Sequence, residues 1–138
     1  MERPLFEVSV KLALYDTKVQ KVLVMCYPLH SNGFTYGLPG GHVEEGEYPD
    51  DALRRELEEE LGVVLDDFSR RDFFRREGTD SPVILAYTSY TSGNVLLQPP
   101  NPTVEYGEWF DRAAIEGGTI LKSEYKRFVL DNWPETQA

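Results

Sequence analysis

The alternation of apolar and polar residues changes period several times along the chain, and each change marks an element. "FEVSVKLALYD", from Phe6 to Asp16, alternates every second residue, the period of a half-buried strand. "KVLVMCY", from Lys21 to Tyr27, is a short apolar run able to pair with it across the polar turn "DTKVQ". A stretch rich in Gly and Pro follows, "PLHSNGFTYGLPGGHVEEGE", which reads as loop around a short strand near Phe34 to Leu38. The period then lengthens. Leu53, Leu57 and Leu61 form one stripe of a helix that begins at Pro49, a residue suited to a first helical position, and stops at Gly62. Asp50 and Asp51 place negative charge at the positive end of its dipole, whereas Tyr48, at the N-cap, is a poor capping residue. Further strands are expected within "VVLDDFSRRDFFRRE", "SPVILAYTSYTSG" and "VEYGEWF". A last amphipathic helix, Ser123 to Trp133, turns Tyr125, Phe128, Val129 and Leu130 toward one side. Strands that outnumber two helices predict an α/β sheet with helices packed on its faces.

Composition narrows the class. The 138 residues suit one domain over the whole span 1–138, and 41% apolar with 28% charged residues is ordinary for a globular chain. No apolar run approaches the ~20 residues that cross a bilayer. The opening "MERPLFEVSV" carries neither the basic nor the apolar segment of a secretory signal, so the cytoplasm is the expected compartment. Cys26 is the single cysteine, which excludes an internal disulfide and a thiolate metal cluster and leaves a buried thiol as the expectation. A formal charge of -10 argues against nonspecific attraction to nucleic-acid polymers or anionic membranes. It leaves room for an anionic small molecule, provided something positive sits between.

The negative charge is concentrated: Gly40 to Val63 holds nine carboxylates in twenty-four residues. At about 100° per residue, Glu56, Glu59 and Glu60 fall on an arc beside the leucine stripe, so their carboxylates are expected to converge, while Glu58 points to solvent. Like charges at these spacings destabilise a helix by ~0.2–0.5 kcal/mol per pair, and Arg54 and Arg55 are too few to neutralise them. An all-oxygen cluster of this kind suits a hard divalent cation, Mg²⁺ or Mn²⁺, better than zinc.

A solvated acidic face is the ordinary explanation for a run of Glu, but the spacing goes further. Gly41, Glu47, Arg55, Glu56, Leu57, Glu59, Glu60, Gly62 and Val63 follow, without a mismatch, the Nudix pattern: Gly, five residues, Glu, seven residues, then Arg-Glu-apolar-any-Glu-Glu-any-Gly-apolar. Residues used at about 7% each would produce this match by accident on the order of once in a million chains of this length. With "LPGG" before the box and "GEWF" after it, the chain resembles a Nudix hydrolase over nearly its whole length.

That resemblance implies an α/β/α sandwich with a mixed, largely antiparallel sheet and a catalytic loop-helix-loop. It also implies hydrolysis of a nucleoside diphosphate linked to another moiety: a nucleoside triphosphate, a nucleotide sugar or a dinucleoside polyphosphate. Glu56, Glu59 and Glu60 would bind Mg²⁺, with Mn²⁺ as a substitute and the Gly40 carbonyl as a further ligand, and Arg55 would orient a box glutamate. Glu56 is the first candidate for the general base, with Glu59 and Glu60 close behind. Glu47 is expected to pair with an arginine, and Glu44 and Glu45 to be solvated. A further metal-site carboxylate is expected from "VEYGEWF", where Glu108, before Trp109, is preferred over Glu105.

The partner implied is a small-molecule nucleotide, with neither a nucleic-acid polymer nor a membrane; oligomeric state is left open. Tyr27, His30, Phe34 and Tyr36 offer rings for stacking on a base, or for core packing. Arg70, Arg71, Arg75 and Arg76 form the densest basic cluster, either contacting phosphates, with Arg75 the candidate, or patterning an exposed strand edge. A catalytically silent nucleotide- or protein-binding module is the alternative, against which stands the intact box. A Ca²⁺-binding protein is weaker still, because EF-hand spacing is missing.

Overall fold

The computed structural model describes residues 7–29, 33–75, 82–93, 95–97 and 105–135, so Phe6, His30 and Arg76 lie outside the described residues. The elements run β1 (Val8–Asp16), β2 (Lys21–Pro28), β3 (Phe34–Gly37), β4 (Gly40–His42), α1 (Pro49–Leu61), β5 (Ser69–Arg75), β6 (Val83–Thr91), β7 (Tyr106–Asp111), α2 (Arg112–Gly117) and α3 (Ser123–Asp131). Strands β3-β2-β1-β6-β5 form one sheet, with β4 added on β1 and β7 on β2. Only β1 and β6 pair in parallel, from Val8↔Val83 to Asp16↔Thr91, and the other described pairings are antiparallel.

Alternation along β1 divides the core into two layers. Val10, Leu12 and Leu14 meet Leu23 and Met25 of β2 and the α1 stripe of Leu53, Leu57 and Leu61. Ala13 and Tyr15 face the other way, with Val22 and Val24, onto Ile115 of α2 and Tyr125, Phe128 and Val129 of α3. Helices thus cover both faces of a mixed sheet, the expected α/β/α sandwich. Among the described residues no helix is long and apolar enough to cross a membrane.

Pairing changes partner along β1, and that creates a gap in the sheet. Tyr15↔Val22 and Asp16↔Lys21 join β1 to β2, but at its other end Ser9, Val10 and Lys11 pair with His42, Gly41 and Gly40 of β4. Strand β2 meanwhile takes β3 through Met25↔Gly37 to Pro28↔Phe34. The two strands therefore splay, and β3 and β4, joined at Leu38 and Pro39, enter between them.

Helix α1 has the expected bounds because both ends are set locally. Pro49 opens it and Gly62, at φ 66°, closes it, with the Gly62 N–H on the Glu58 carbonyl at 2.9 Å and the Val63 N–H on the Leu57 carbonyl at 3.3 Å. Two elements were not expected. Strand β4 is three residues long and glycine-rich, a strand only because β1 pairs with it. Helix α2, capped by the Asp111 carboxylate on the Ala114 N–H at 2.8 Å, is too short for a periodic signal. Two others begin or end short of expectation. Residues 64–68 precede β5 without strand, as Leu65 and Phe68 pack under α1 and Asp66 accepts from Arg54 Nε at 3.0 Å. Helix α3 ends at Asp131 because Pro134 drives Trp133 out of the helical region.

The Tyr48 side chain makes no capping hydrogen bond and is 77% exposed, so the position gains little from a tyrosine. Replacing it, Tyr48→Ser, is expected to stabilise the fold by about 1 kcal/mol, or roughly 3 °C in Tm. Circular-dichroism melts check this, and an unchanged midpoint would contradict it.

Asp50 ties the start of α1 to the sheet: its Oδ1 accepts from Tyr87 Oη at 2.6 Å and lies 3.4 Å from Arg70 Nη2. The Tyr87 hydroxyl first, and Arg70 second, hold its carboxyl below the usual range. A depressed pKa stabilises the fold above the unfolded value, about 3.9, and that contribution disappears as pH falls through the folded value. The Tm gap between wild type and Asp50→Asn should be steady near neutrality and close below roughly pH 4. A gap undiminished at about pH 2 would mean that the ionised carboxylate is not its source.

Candidate active site

The site is built where the β3–β4 connection passes over α1. Gly40 has φ 138°, and a Cβ there would collide with the Val10 carbonyl, so only glycine permits this strand to lie on β1. Gly41 matters for a different reason: a Cβ there would stand 2.5 Å from the Glu56 carboxylate. The absence of a side chain lets backbone and carboxylate come together.

Arg55 is the hub of the box. Its Nε and Nη2 meet both oxygens of Glu47, at 2.9 and 3.1 Å, and Nη2 also donates to the His42 carbonyl at 3.0 Å. Its Nη1 reaches Glu56 Oε1 at 3.0 Å and Glu59 Oε2 at 3.3 Å. The Glu47 hydrogen bonds, ahead of the other interactions, raise the guanidinium pKa, and the same contacts hold the Glu47 carboxyl below its usual range. The arginine expected to pair with Glu47 is therefore Arg55, and this one cation serves Glu47, Glu56 and Glu59 together. Arg54 is turned away, to Asp51 and Asp66.

Glu60 turns inward instead. Gly40 N–H donates to its Oε1 at 3.0 Å and Tyr27 Oη to its Oε2 at 3.3 Å. Burial pushes its pKa well above the usual carboxylate range, the nearby charges of Glu105 and Glu56 adding to the effect and Lys11 opposing it. Burial, and next the Glu60 charge, likewise keep the Tyr27 phenol protonated. Glu58 and Glu59 are exposed on the helix surface.

Strand alternation separates the two outer carboxylates. Gly107 and Trp109 face α1, where a Gly107 Cβ would press on Leu61 and Leu23 and Trp109 packs in the leucine layer. Glu108, paired with Val24, points to the opposite face, where its Oε2 accepts from Cys26 Sγ at 3.8 Å. Glu105 is the outer carboxylate whose charge reaches Glu60 and Tyr27. Cys26 is fully buried, and burial, ahead of Glu108, pushes its thiol up to about 11, which leaves it inert.

A cleft of about 500 Å³ opens at the splay between β1 and β2, walled by Lys11, Tyr27, Thr35, Tyr36, Lys122 and Tyr125 among others. That volume lies in the range of small-molecule sites. Tyr36 lines it, its ring also packed edge-on against Phe110. Phe34 stacks edge-on with Tyr106 instead, and Arg75 lies on edge strand β5 opposite Val83; neither is among the described lining residues. The two lysines were missed from sequence. For Lys11 a signal existed: it occupies the β1 face shared by buried Ala13 and Tyr15, where a lysine calls for a reason.

Among the described residues no three His, Cys, Asp or Glu side chains stand close enough together to share an ion, since Arg55 draws Glu56 and Glu59 to itself. The donor set nevertheless fits a hard divalent cation: three carboxylates on one side of a helix, two of them half-buried, beside a glycine backbone that approaches closely.

The NUDIX domain family model matches residues 5–130, and the chain belongs to that family. A protein named 8-oxo-dGTP diphosphatase from Haemophilus influenzae is 32% identical over 89 residues, 64% of this chain and 63% of that one. Another of the same name, from Proteus vulgaris, is 33% identical over 72 residues, 51% of this chain. The match spans 63% of the length of each of these relatives. In structure, the fold is that of the NUDIX domain of Shewanella oneidensis NrtR, solved with ADP ribose, at TM-score 0.74, 21% identity and coverage of 93% and 86%. A MutT protein from Methanosarcina mazei aligns at TM-score 0.69, 20% identity and coverage of 95% and 94%.

Gly40 and Gly41 separate the structural and chemical demands on this loop. Gly40→Ala is expected to lower the melting temperature sharply, because backbone must move. Gly41→Ala should leave it within a few degrees, because only the flexible end of Glu56 has to yield, while displacing that carboxylate from its place. Melts of both variants, with hydrolysis assays of Gly41→Ala, check this; two variants of equal stability would contradict it.

Proposed function

We propose that the chain is a divalent-metal-dependent pyrophosphohydrolase acting on a nucleoside diphosphate linked to another moiety, with nucleoside triphosphates as the first class to test. The observation that carries the reading is the Arg55-centred arc of box carboxylates on α1 beside a nucleotide-sized cleft. Similarity to two proteins named 8-oxo-dGTP diphosphatase favours the triphosphate class over nucleotide sugars and dinucleoside polyphosphates.

Glu56, Glu59 and Glu60, with the Gly40 carbonyl, would hold Mg²⁺ or Mn²⁺, which supplies an acidified water and charge neutralisation of the diphosphate oxygens. Arg55 holds the Glu56 carboxylate beside the Gly41 backbone, and Glu47 and the His42 carbonyl keep Arg55 in place. Glu56 is the first candidate to take the proton of the attacking water, with Glu59 and Glu60 as alternatives. Lys11 and Lys122 bring positive charge to the cleft of an acidic chain, and Tyr36 offers a ring for the nucleoside. Glu105 takes the role of the outer carboxylate in this reading, because Glu108 faces Cys26.

Hydrolysis of a nucleotide panel, with products separated by chromatography, should require Mg²⁺ or Mn²⁺ and stop in EDTA. Glu56→Gln, Glu59→Gln and Glu60→Gln should each lose about 10²-fold or more in kcat, and Glu58→Gln and Glu108→Gln little. Glu105→Gln should need more metal or lose kcat. Full turnover in excess EDTA would sink the reading, and a defect in Glu108→Gln without one in Glu105→Gln would return the outer role to Glu108.

A further inference from the structure

Tyr27 belongs to two places at once. It lies on β2 beyond Val22, the last residue paired with β1, and so stands in the splay between the half-sheets. Its ring is part of the cleft wall, with Thr35, Tyr36 and Gly37, and a Cβ on Gly37 would lie 3.4 Å from the Tyr27 Cε2. Its hydroxyl donates to Glu60 Oε2 on α1 at 3.3 Å.

The other Glu60 oxygen is held by the Gly40 N–H at 3.0 Å, so each oxygen has one donor. A carboxylate oxygen accepts at two lone-pair positions. Two donors on different oxygens therefore fix the plane of the group and leave capacity on both. One of the two is backbone and does not adjust; the other is the side chain that walls the cleft.

We infer that Tyr27 is a positioning residue, its hydroxyl holding the Glu60 carboxylate in place from the wall of the nucleoside cleft. This rests on the metal-dependent reading above. It makes the carboxylate geometry depend on a residue that walls the cleft.

Tyr27→Phe keeps the ring in the splay and removes only the hydroxyl. Mn²⁺ binding to the substrate-free protein, counted by electron paramagnetic resonance of the free ion, should weaken about tenfold or more, the scale of lost support to a metal-binding side chain. The kcat should fall by a similar factor, KM should move less than about twofold, and the metal-free melting temperature should stay near wild type. In a Glu60→Gln background the same change should add little, because Tyr27 acts through Glu60.

Mn²⁺ affinity and kcat both unchanged in Tyr27→Phe, or equal losses with and without Glu60, would overturn the inference. If Tyr27→Phe fails to fold, ¹³C-tyrosine spectra of the wild type decide: Mg²⁺ should shift one tyrosine ring signal well beyond the rest, and a uniform response would overturn the inference. A wild type that neither binds Mn²⁺ nor hydrolyses any nucleotide would instead remove the functional reading. Wild-type binding and turnover beside an unaltered Tyr27→Phe would remove only the role of Tyr27.

Discussion

Burial of Leu53, Leu57 and Leu61 against β1 and β2 sets the rotation of α1 about its axis, and the acidic side chains of that helix are aimed by that rotation. A fully buried leucine contributes on the order of 2 kcal/mol, far more than the few tenths by which neighbouring like charges repel on a helix surface. The leucine stripe therefore wins, and Glu56 and Glu60 are carried toward the β3–β4 connection whether or not their charges favour it. Local ends that need no tertiary help, Pro49 and Gly62, keep the helix in register while this happens.

The charge crowded by that rotation is relieved unequally. Arg55 gathers Glu47, Glu56 and Glu59 around one guanidinium, whose planar fork meets both oxygens of Glu47. Glu60 instead accepts from a backbone N–H and a phenol, with the Lys11 charge nearby. Burial has already raised its pKa. A box that looks uniformly acidic in sequence is thus divided into a part gathered on one guanidinium and a part held by neutral donors.

The splay between β1 and β2 opens a cleft beside the acidic helix. Strand β1 changes partner from β2 to β4, and the space between is bordered by Lys11, Tyr27 and Tyr36. Because β4 requires Gly40 and lies over Glu56 through Gly41, the same short segment closes the sheet and opens the approach to the carboxylates.

What the sequence determined by itself was whatever depends on near neighbours: the bounds of α1, the leucine stripe, the strand alternation, the Nudix spacing and the α/β/α class. The first three follow from the 3.6- and 2-residue periods and from backbone preferences of Pro and Gly, which act within a few residues, whereas the α/β/α class came through the resemblance that the Nudix spacing carries. The pairing of Glu47 with an arginine was also expected, though not that the same arginine would hold Glu56 and Glu59. Strand β4 was out of reach because three residues rich in glycine form a strand only on a partner, and α2 because six residues hold under two turns. The tertiary structure alone decided that Glu105 is near Glu60 and that Glu108 faces Cys26, a choice set by the register of β7 on β2, since a shift of one residue exchanges the two faces of a strand. It alone decided that Lys11 and Tyr27 border one cleft, because they belong to strands that separate, and no local pattern encodes where two strands part.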